Sequence, residues 1–176
     1  MRLILLLSLA FSAVCFAGDT TLSDFNDKSI PYPYGSWVDS GSGKSTLVSG
    51  PEGVSTSGGA TSKGGACARD LSISANDNDV LELEITVLEG NEAKAVNVLL
   101  ENANRTQAGW RFDLTDIKPG STKKMVSSTL SEPSFVNSKT ETFDPKAIVS
   151  WHVQGDYSDD RKIRVRFDNL VIRSQK

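Results

Sequence analysis

Two short segments place residues capable of binding or transforming a ligand at every second position. Trp110-Arg111-Phe112-Asp113-Leu114 alternates a guanidinium and a carboxylate with three apolar side chains. Val149-Ser150-Trp151-His152-Val153-Gln154 alternates a hydroxyl, the chain's single histidine and an amide with three more. Strand side chains point alternately to opposite faces, so in β conformation Arg111, Asp113, Ser150, His152 and Gln154 share one surface while their apolar partners enter a core. A guanidinium is a fork of donors and a carboxylate an acceptor, and both form charge-assisted hydrogen bonds. An amide and a neutral imidazole each donate and accept. Such a set suits a ligand dense in hydroxyl groups. Taken singly, the same residues allow a plainer reading, with Arg111 and Asp113 as a surface ion pair and His152 as a solvated strand residue.

The lone histidine constrains catalysis. A hydrolytic triad would have to use His152, and no Gly-x-Ser-x-Gly turn accompanies it. Zinc chemistry is short of ligands. A glycosidase needs two carboxylates about 5 to 10 Å apart, for which Asp113 with Glu101 or Asp156 are the candidates. Asn104-Arg105-Thr106 is a glycosylation sequon in a eukaryotic secretory pathway.

The elements that must hold these residues are strands. Val80 to Leu88 alternates, with Leu81, Leu83, Ile85 and Val87 on one side. Val96 to Glu101 does the same, setting Val96, Val98 and Leu100 against Asn97, Leu99 and Glu101. Gly109 to Thr115, Ala147 to Gln154 and Lys162 to Phe167 complete the clear set, and Leu22 to Asn26 and Ser45 to Ser49 are shorter candidates. Beyond Asp168 the apolar residues change parity to Leu170 and Ile172, so a bulge is expected at Asp168-Asn169. Tyr32 and Tyr34 alternate with Pro31 and Pro33, which forbid a central strand and put the rings on a turn or edge. Ser55 to Gly65 reads as a flexible connection. Many short strands with Gly-rich and Pro-rich turns predict an all-β fold, a β-sandwich or jelly roll of two antiparallel sheets.

Arg2, the apolar run from Leu3 to Val14 and the small-residue step at Cys15-Phe16-Ala17 read as a signal peptide over residues 1–17. The remainder, 18–176, is expected to be one secreted or periplasmic domain. The run falls short of the ~20 residues of a membrane span. A formal net charge of −3 with scattered Lys and Arg argues against nucleic acid as a partner. Loss of Cys15 would leave Cys67 unable to form an internal disulfide, and between Ala66 and Ala68 it reads as a small buried hydrophobe.

Leu22 to Asp27, Gly43-Lys44-Ser45-Thr46-Leu47, Trp110 to Leu114 with Ile117-Lys118-Pro119-Gly120, Ile148 to Gly155 and Val165 to Leu170 together resemble the galactose-binding-like β-jelly roll of carbohydrate-binding modules, family 11 above all. That resemblance implies a non-catalytic protein holding a polysaccharide or oligosaccharide in a concave sheet. An Arg-x-Asp strand and a Ser-x-His strand line the family's cleft, and the matching positions are Arg111, Asp113, Ser150 and His152. The family's cleft tyrosine after the aspartate is Leu114, which by alternation faces inward. Gln154 and Asn97 would add hydrogen bonds, and Tyr32, Tyr34, Trp37 and Tyr157 would supply rings for the apolar face of a sugar. Such jelly rolls carry a structural Ca²⁺ where the first and last strands meet, and Asp24, Asn26 and Asp168 would supply oxygen ligands. The start and end motifs are also similar to those of the complex I intermediate-associated protein family, which implies an assembly scaffold with an envelope or extracellular protein partner. Jelly-roll polysaccharide lyases resemble this face as well; there Tyr34 or Tyr157 would transfer the proton and Arg111 bind the substrate carboxylate.

Overall fold

The computed structural model describes residues 18–25, 36–37, 46–50, 53–57, 65–138, 140–156, 158 and 161–175. The signal-peptide segment, Asn26, Tyr32, Tyr34 and Tyr157 lie outside the described residues.

The alternating segments form strands, although the one expected from Lys162 begins only at Val165. They are β1 (Thr20–Ser23), β2 (Ser36–Trp37), β3 (Thr46–Gly50), β4 (Gly53–Ser57), β5 (Gly65–Ala68), β6 (Val80–Val87), β7 (Ala95–Asn102), β8 (Gln107–Asp113), β9 (Thr122–Thr129), β10 (Phe135–Val136), β11 (Ile148–Gly155) and β12 (Val165–Arg173). Two antiparallel six-stranded sheets result. One runs β3-β4-β12-β6-β9 with β1 beside β12, and the other runs β10-β8-β7-β11-β5-β2. The only helical piece among the described residues is a 3-10 turn, Pro145–Ala147, whose start is capped by the Asp144 side chain accepting from the Lys146 N–H.

The parity read from the sequence fills the core. Leu81, Leu83, Ile85, Val165 and Phe167 of the first sheet meet Val96, Val98, Leu100, Trp110, Phe112, Trp151 and Val153 of the second, all 2% exposed or less. Trp110 keeps its indole donor satisfied at that depth by donating to the Thr129 carbonyl at 3.1 Å. The bulge expected at Asp168-Asn169 is present: pairing to β6 shifts between Asp168 and Val171. Asn169 takes φ 48°, a left-handed backbone that asparagine adopts more readily than most residues, and Phe167 and Leu170 are both fully buried as a result.

Three expectations need correction. The stretch read as a flexible connection from Ser55 begins within β4, which pairs with β3 through Gly50↔Gly53 and with β12 through Arg166↔Ser55. The first strand ends at Ser23 instead of Asn26, because Phe25 turns out of line at φ 53° and buries its ring edge-on against Trp151 at 5.5 Å. Neither β9 nor β10 was foreseen. β9 sits at a sheet edge, and its half-buried face carries Met125, Ser127 and Thr129, of which only Met125 is apolar, so its sequence shows no apolar alternation.

Candidate functional site

The second sheet brings the candidate residues together. Its strand order sets β7 between β8 and β11, and the register aligns their outward residues into rungs. One rung runs Arg111–Asn97–Gln154–Gly65–Trp37, with Trp37 placed by its backbone pairing alone. The next runs Phe135–Gly109–Leu99–His152–Cys67, and a third Gln107–Glu101–Ser150. Neighbouring strands are about 4.8 Å apart, so Arg111 and Gln154 flank Asn97 within reach of a single small ligand. Trp110 and Trp151 point the other way, into the core.

A concavity of about 310 Å³ opens on this face, lined by Asn97, Leu99, Gln107, Phe135, His152, Gln154, Asp156 and Ser158. Asn97 is 6% and Gln154 8% exposed, yet neither side-chain amide has a hydrogen-bond partner among the described residues. Buried amides are ordinarily paired, so two adjacent ones facing a hollow present donors and acceptors to whatever enters. One step along β7 and β11 a second concavity of about 350 Å³ is lined by Arg69, Asp70, Glu101, Asn102, Ala103, Arg105, Val149 and Ser150.

Arg111 and Asp113 do not form the donor–acceptor couple their spacing suggests. The Arg111 guanidinium pairs with Asp156, which is 7% exposed and also accepts from the Ser158 N–H at 3.0 Å and Oγ at 2.6 Å. The Asp113 Oδ1 accepts from the Thr115 N–H at 2.8 Å and Oγ1 at 2.7 Å, closing a turn at the end of β8. These two Thr115 bonds hold the Asp113 carboxyl below its ordinary range, with smaller help from the charges of Arg111 and Lys94. Asp113 therefore stands at the rim, and the carboxylate beside Arg111 is Asp156.

Ser150 Oγ lies 3.2 Å from His152 Nε2. Burial pushes the imidazole below its ordinary 6.5; the Glu101 charge opposes that shift and the Arg69 charge adds to it. The Glu101 carboxylate itself accepts from the Gln107 amide. A lowered histidine pKa means that the unfolded chain takes up the proton first on acidification, so stability is full above pH 6.5 and falls as the pH drops below it. Melting temperatures taken between pH 7 and about 5 are expected to fall less steeply in His152→Gln than in the parent; equal slopes would show that the ring is not desolvated.

Cys67 is buried, as expected, directly across from His152 on β5. Trp37 is in β2, the strand at the far edge of this sheet, and its ring lies outside the described residues. The proposed cation ligands fall elsewhere. Asp24 follows β1 and Asp168 belongs to β12, whose carboxyl is raised first by burial and then by the charges of Glu84 and Asp24. That surplus of negative charge suits a hard cation, although no group of three His, Cys, Asp or Glu converges as a metal site among the described residues.

Phe135, Leu99 and Gln107 were not read as site residues from the sequence, and Asp156 only as a candidate carboxylate for glycoside cleavage. Leu99 was legible as an outward position on β7, and Asp156 falls just past the end of β11. Phe135 had no signal beyond being an aromatic residue after Pro133.

No protein-family profile matches the chain, and no curated protein is similar to it in sequence. Solved structures are similar in fold. A family 11 carbohydrate-binding module from Clostridium thermocellum, in complex with a β-1,3-1,4-mixed-linked tetrasaccharide, aligns over 89% of this chain and 96% of its own with a TM-score of 0.63 at 16% identity. A family 29 carbohydrate-binding module complexed with cellulohexaose aligns over 88% of this chain and 89% of its own, with a TM-score of 0.54 and 16% identity. An agarase matches 91% of this chain with only 25% of its own length, at a TM-score of 0.60 and 12% identity. The chain thus folds as a β-sandwich jelly roll of two antiparallel sheets, similar in architecture to family 11 carbohydrate-binding modules.

Proposed function

We propose that this is a secreted, non-catalytic protein that holds a polysaccharide or oligosaccharide against the outer face of β8, β7 and β11. The observation that carries the reading is the pair of buried Asn97 and Gln154 amides, opposite one another in the sheet and open to the concavity. Sugar hydroxyls both donate and accept, and an amide pair satisfies both at once. Arg111 and His152, with Ser150 beside it, complete the polar set, and Asp113 would contribute from the rim. Tyr32, Tyr34 and Trp37 would supply stacking rings. The structural neighbours that carry a glucan tetrasaccharide and cellulohexaose support the same ligand class.

Asp24, Asn26 and Asp168 are proposed as ligands of a structural Ca²⁺, whose charge would offset the mutual repulsion of Asp24, Glu84 and Asp168 where β1 meets β12. Secretion rests on the Leu3 to Val14 leader.

Affinity electrophoresis of the full chain against mixed-linked glucan, xyloglucan, arabinoxylan and polygalacturonate, with Ca²⁺ and with EDTA, tests the reading. Retardation by at least one polymer, without release of reducing ends or unsaturated uronates, is the expected result. Unretarded migration in every gel overturns glycan binding, and product release replaces it with a hydrolase or lyase.

A further inference from the structure

The second concavity, about 350 Å³, is lined by two guanidinium groups. Arg69 stands just past the end of β5, and Arg105 on the turn between β7 and β8. Among the described residues, neither the Arg69 side chain nor that of Asp70 beside it makes a hydrogen bond or ion pair. The Arg105 side chain is 83% exposed and lies 3.8 Å from Glu101, whose carboxylate already accepts from the Gln107 amide. Both guanidinium forks are open to a further acceptor.

The backbone that presents Arg105 is costly. Its φ is 70°, in the left-handed region that glycine and asparagine enter more easily. The turn enforces it: the Arg105 N–H donates to the Asn102 carbonyl at 2.9 Å, its carbonyl accepts from the Asn137 amide at 3.4 Å, and the Thr106 N–H donates to Asn104 Oδ1 at 3.0 Å. Non-glycine residues held in this region cluster where a side chain has a task. Asn102 makes the base rigid, its amide donating to the carbonyls of Asp144 at 2.7 Å and Ala147 at 2.8 Å while its Oδ1 accepts from the Asp144 N–H at 2.9 Å. The two hollows adjoin: Ser150 lines this one and His152 the first, and their side chains meet at 3.2 Å.

We infer that the second hollow is a subsite for an acidic sugar residue, whose carboxylate or sulfate ester sits between the guanidinium groups of Arg69 and Arg105 while Asp70 accepts from a neighbouring hydroxyl. This rests on the glycan-binding reading above and adds a charge to the ligand. The planar fork of arginine matches the paired oxygens of such an anion. Neutral hydroxyls are already served by Asn97 and Gln154 in the first hollow. Glu101 and Asp70 balance the two cations, so a free inorganic anion meets no net charge to draw it. The anion arrives attached to a sugar chain that the first hollow also holds.

Titration of the full chain in EDTA tests this, comparing polygalacturonate with its methyl-esterified form and a sulfated galactan with its desulfated form, for the parent, Arg69→Ala and Arg105→Gly. The parent is expected to bind one of the acidic polymers at least tenfold more tightly than its uncharged counterpart, the arm that responds identifying the anion, and to lose that margin in high salt. Each variant is expected to lose at least tenfold toward the acidic polymer and nothing toward the uncharged one. Arg105→Gly is expected to melt at or above the parent's temperature, because glycine relieves the left-handed backbone; should it melt lower, the comparison passes to Arg105→Asn. Equal affinity for charged and uncharged forms, parent-like binding of the acidic polymer by either variant, or binding confined to neutral glucans overturns the inference while leaving glycan binding intact. Inorganic sulfate binding as tightly as the sulfated polymer overturns it too. If the parent binds no polymer at all, the underlying reading fails.

Discussion

Replacing Trp151 with alanine is expected to cost about 3 to 5 kcal/mol of stability and to lower the melting temperature by roughly 10 °C or more. The indole is fully buried at the centre of β11, which is paired on one side with β7 and on the other with β5. It also receives the Phe25 ring at 5.5 Å, so its removal opens a cavity that Phe25 lines in part. The residues on either side of it in sequence are Ser150 and His152. Loss of the indole therefore loosens the floor of the site from beneath, and ligand affinity is expected to fall along with stability. Urea unfolding measures the first effect and titration the second. A cost below ~1 kcal/mol would show that the ring is not a core support.

The second large effect is expected at Arg111. Arg111→Ala removes a charged donor and is expected to weaken glycan binding by about 1.5 to 3 kcal/mol, roughly 10- to 150-fold in dissociation constant. The Arg111 side chain is 44% exposed, so the change in stability is expected to be small. Asp156 behaves differently. It is nearly buried and holds both Arg111 and Ser158, so Asp156→Ala is expected to lower binding through misplacement of the guanidinium and to destabilise the fold as well. Arg111→Lys keeps the charge without the planar fork and is expected to fall between the parent and Arg111→Ala. Equal affinities across this series would remove Arg111 from the site.

The alternation of apolar and polar residues made the faces of β7, β8 and β11 legible, because the period of two follows from strand geometry alone. It even located the bulge at Asp168-Asn169, since Phe167 and Leu170 cannot both be buried without one. Strand order was beyond its reach. The seat of β7 between β8 and β11 arises from long-range pairing, and it moves Asn97 from a peripheral contributor to the middle of the rung. The partner of Arg111 was misjudged for a related reason: Asp156 is 45 residues away and beyond the strand end, whereas Asp113 is two residues away. A local signal did exist for Asp113, whose carboxylate precedes Thr115 by two residues in the pattern of an Asx turn. Phe135 was invisible because a two-residue strand has no periodicity to read.

The segments before β1 and after β12 touch: the Arg173 guanidinium pairs with the Asp19 carboxylate at 2.6 Å and the Ser174 N–H donates to it at 3.1 Å. They flank β1 and β12 of the first sheet, whereas the rungs of Arg111 and His152 belong to the second. A tether or reporter joined beside Asp19 or beside Ser174 consequently departs from one shared spot next to the first sheet. Immobilised through that spot, the protein would present the proposed site on the second sheet to solvent.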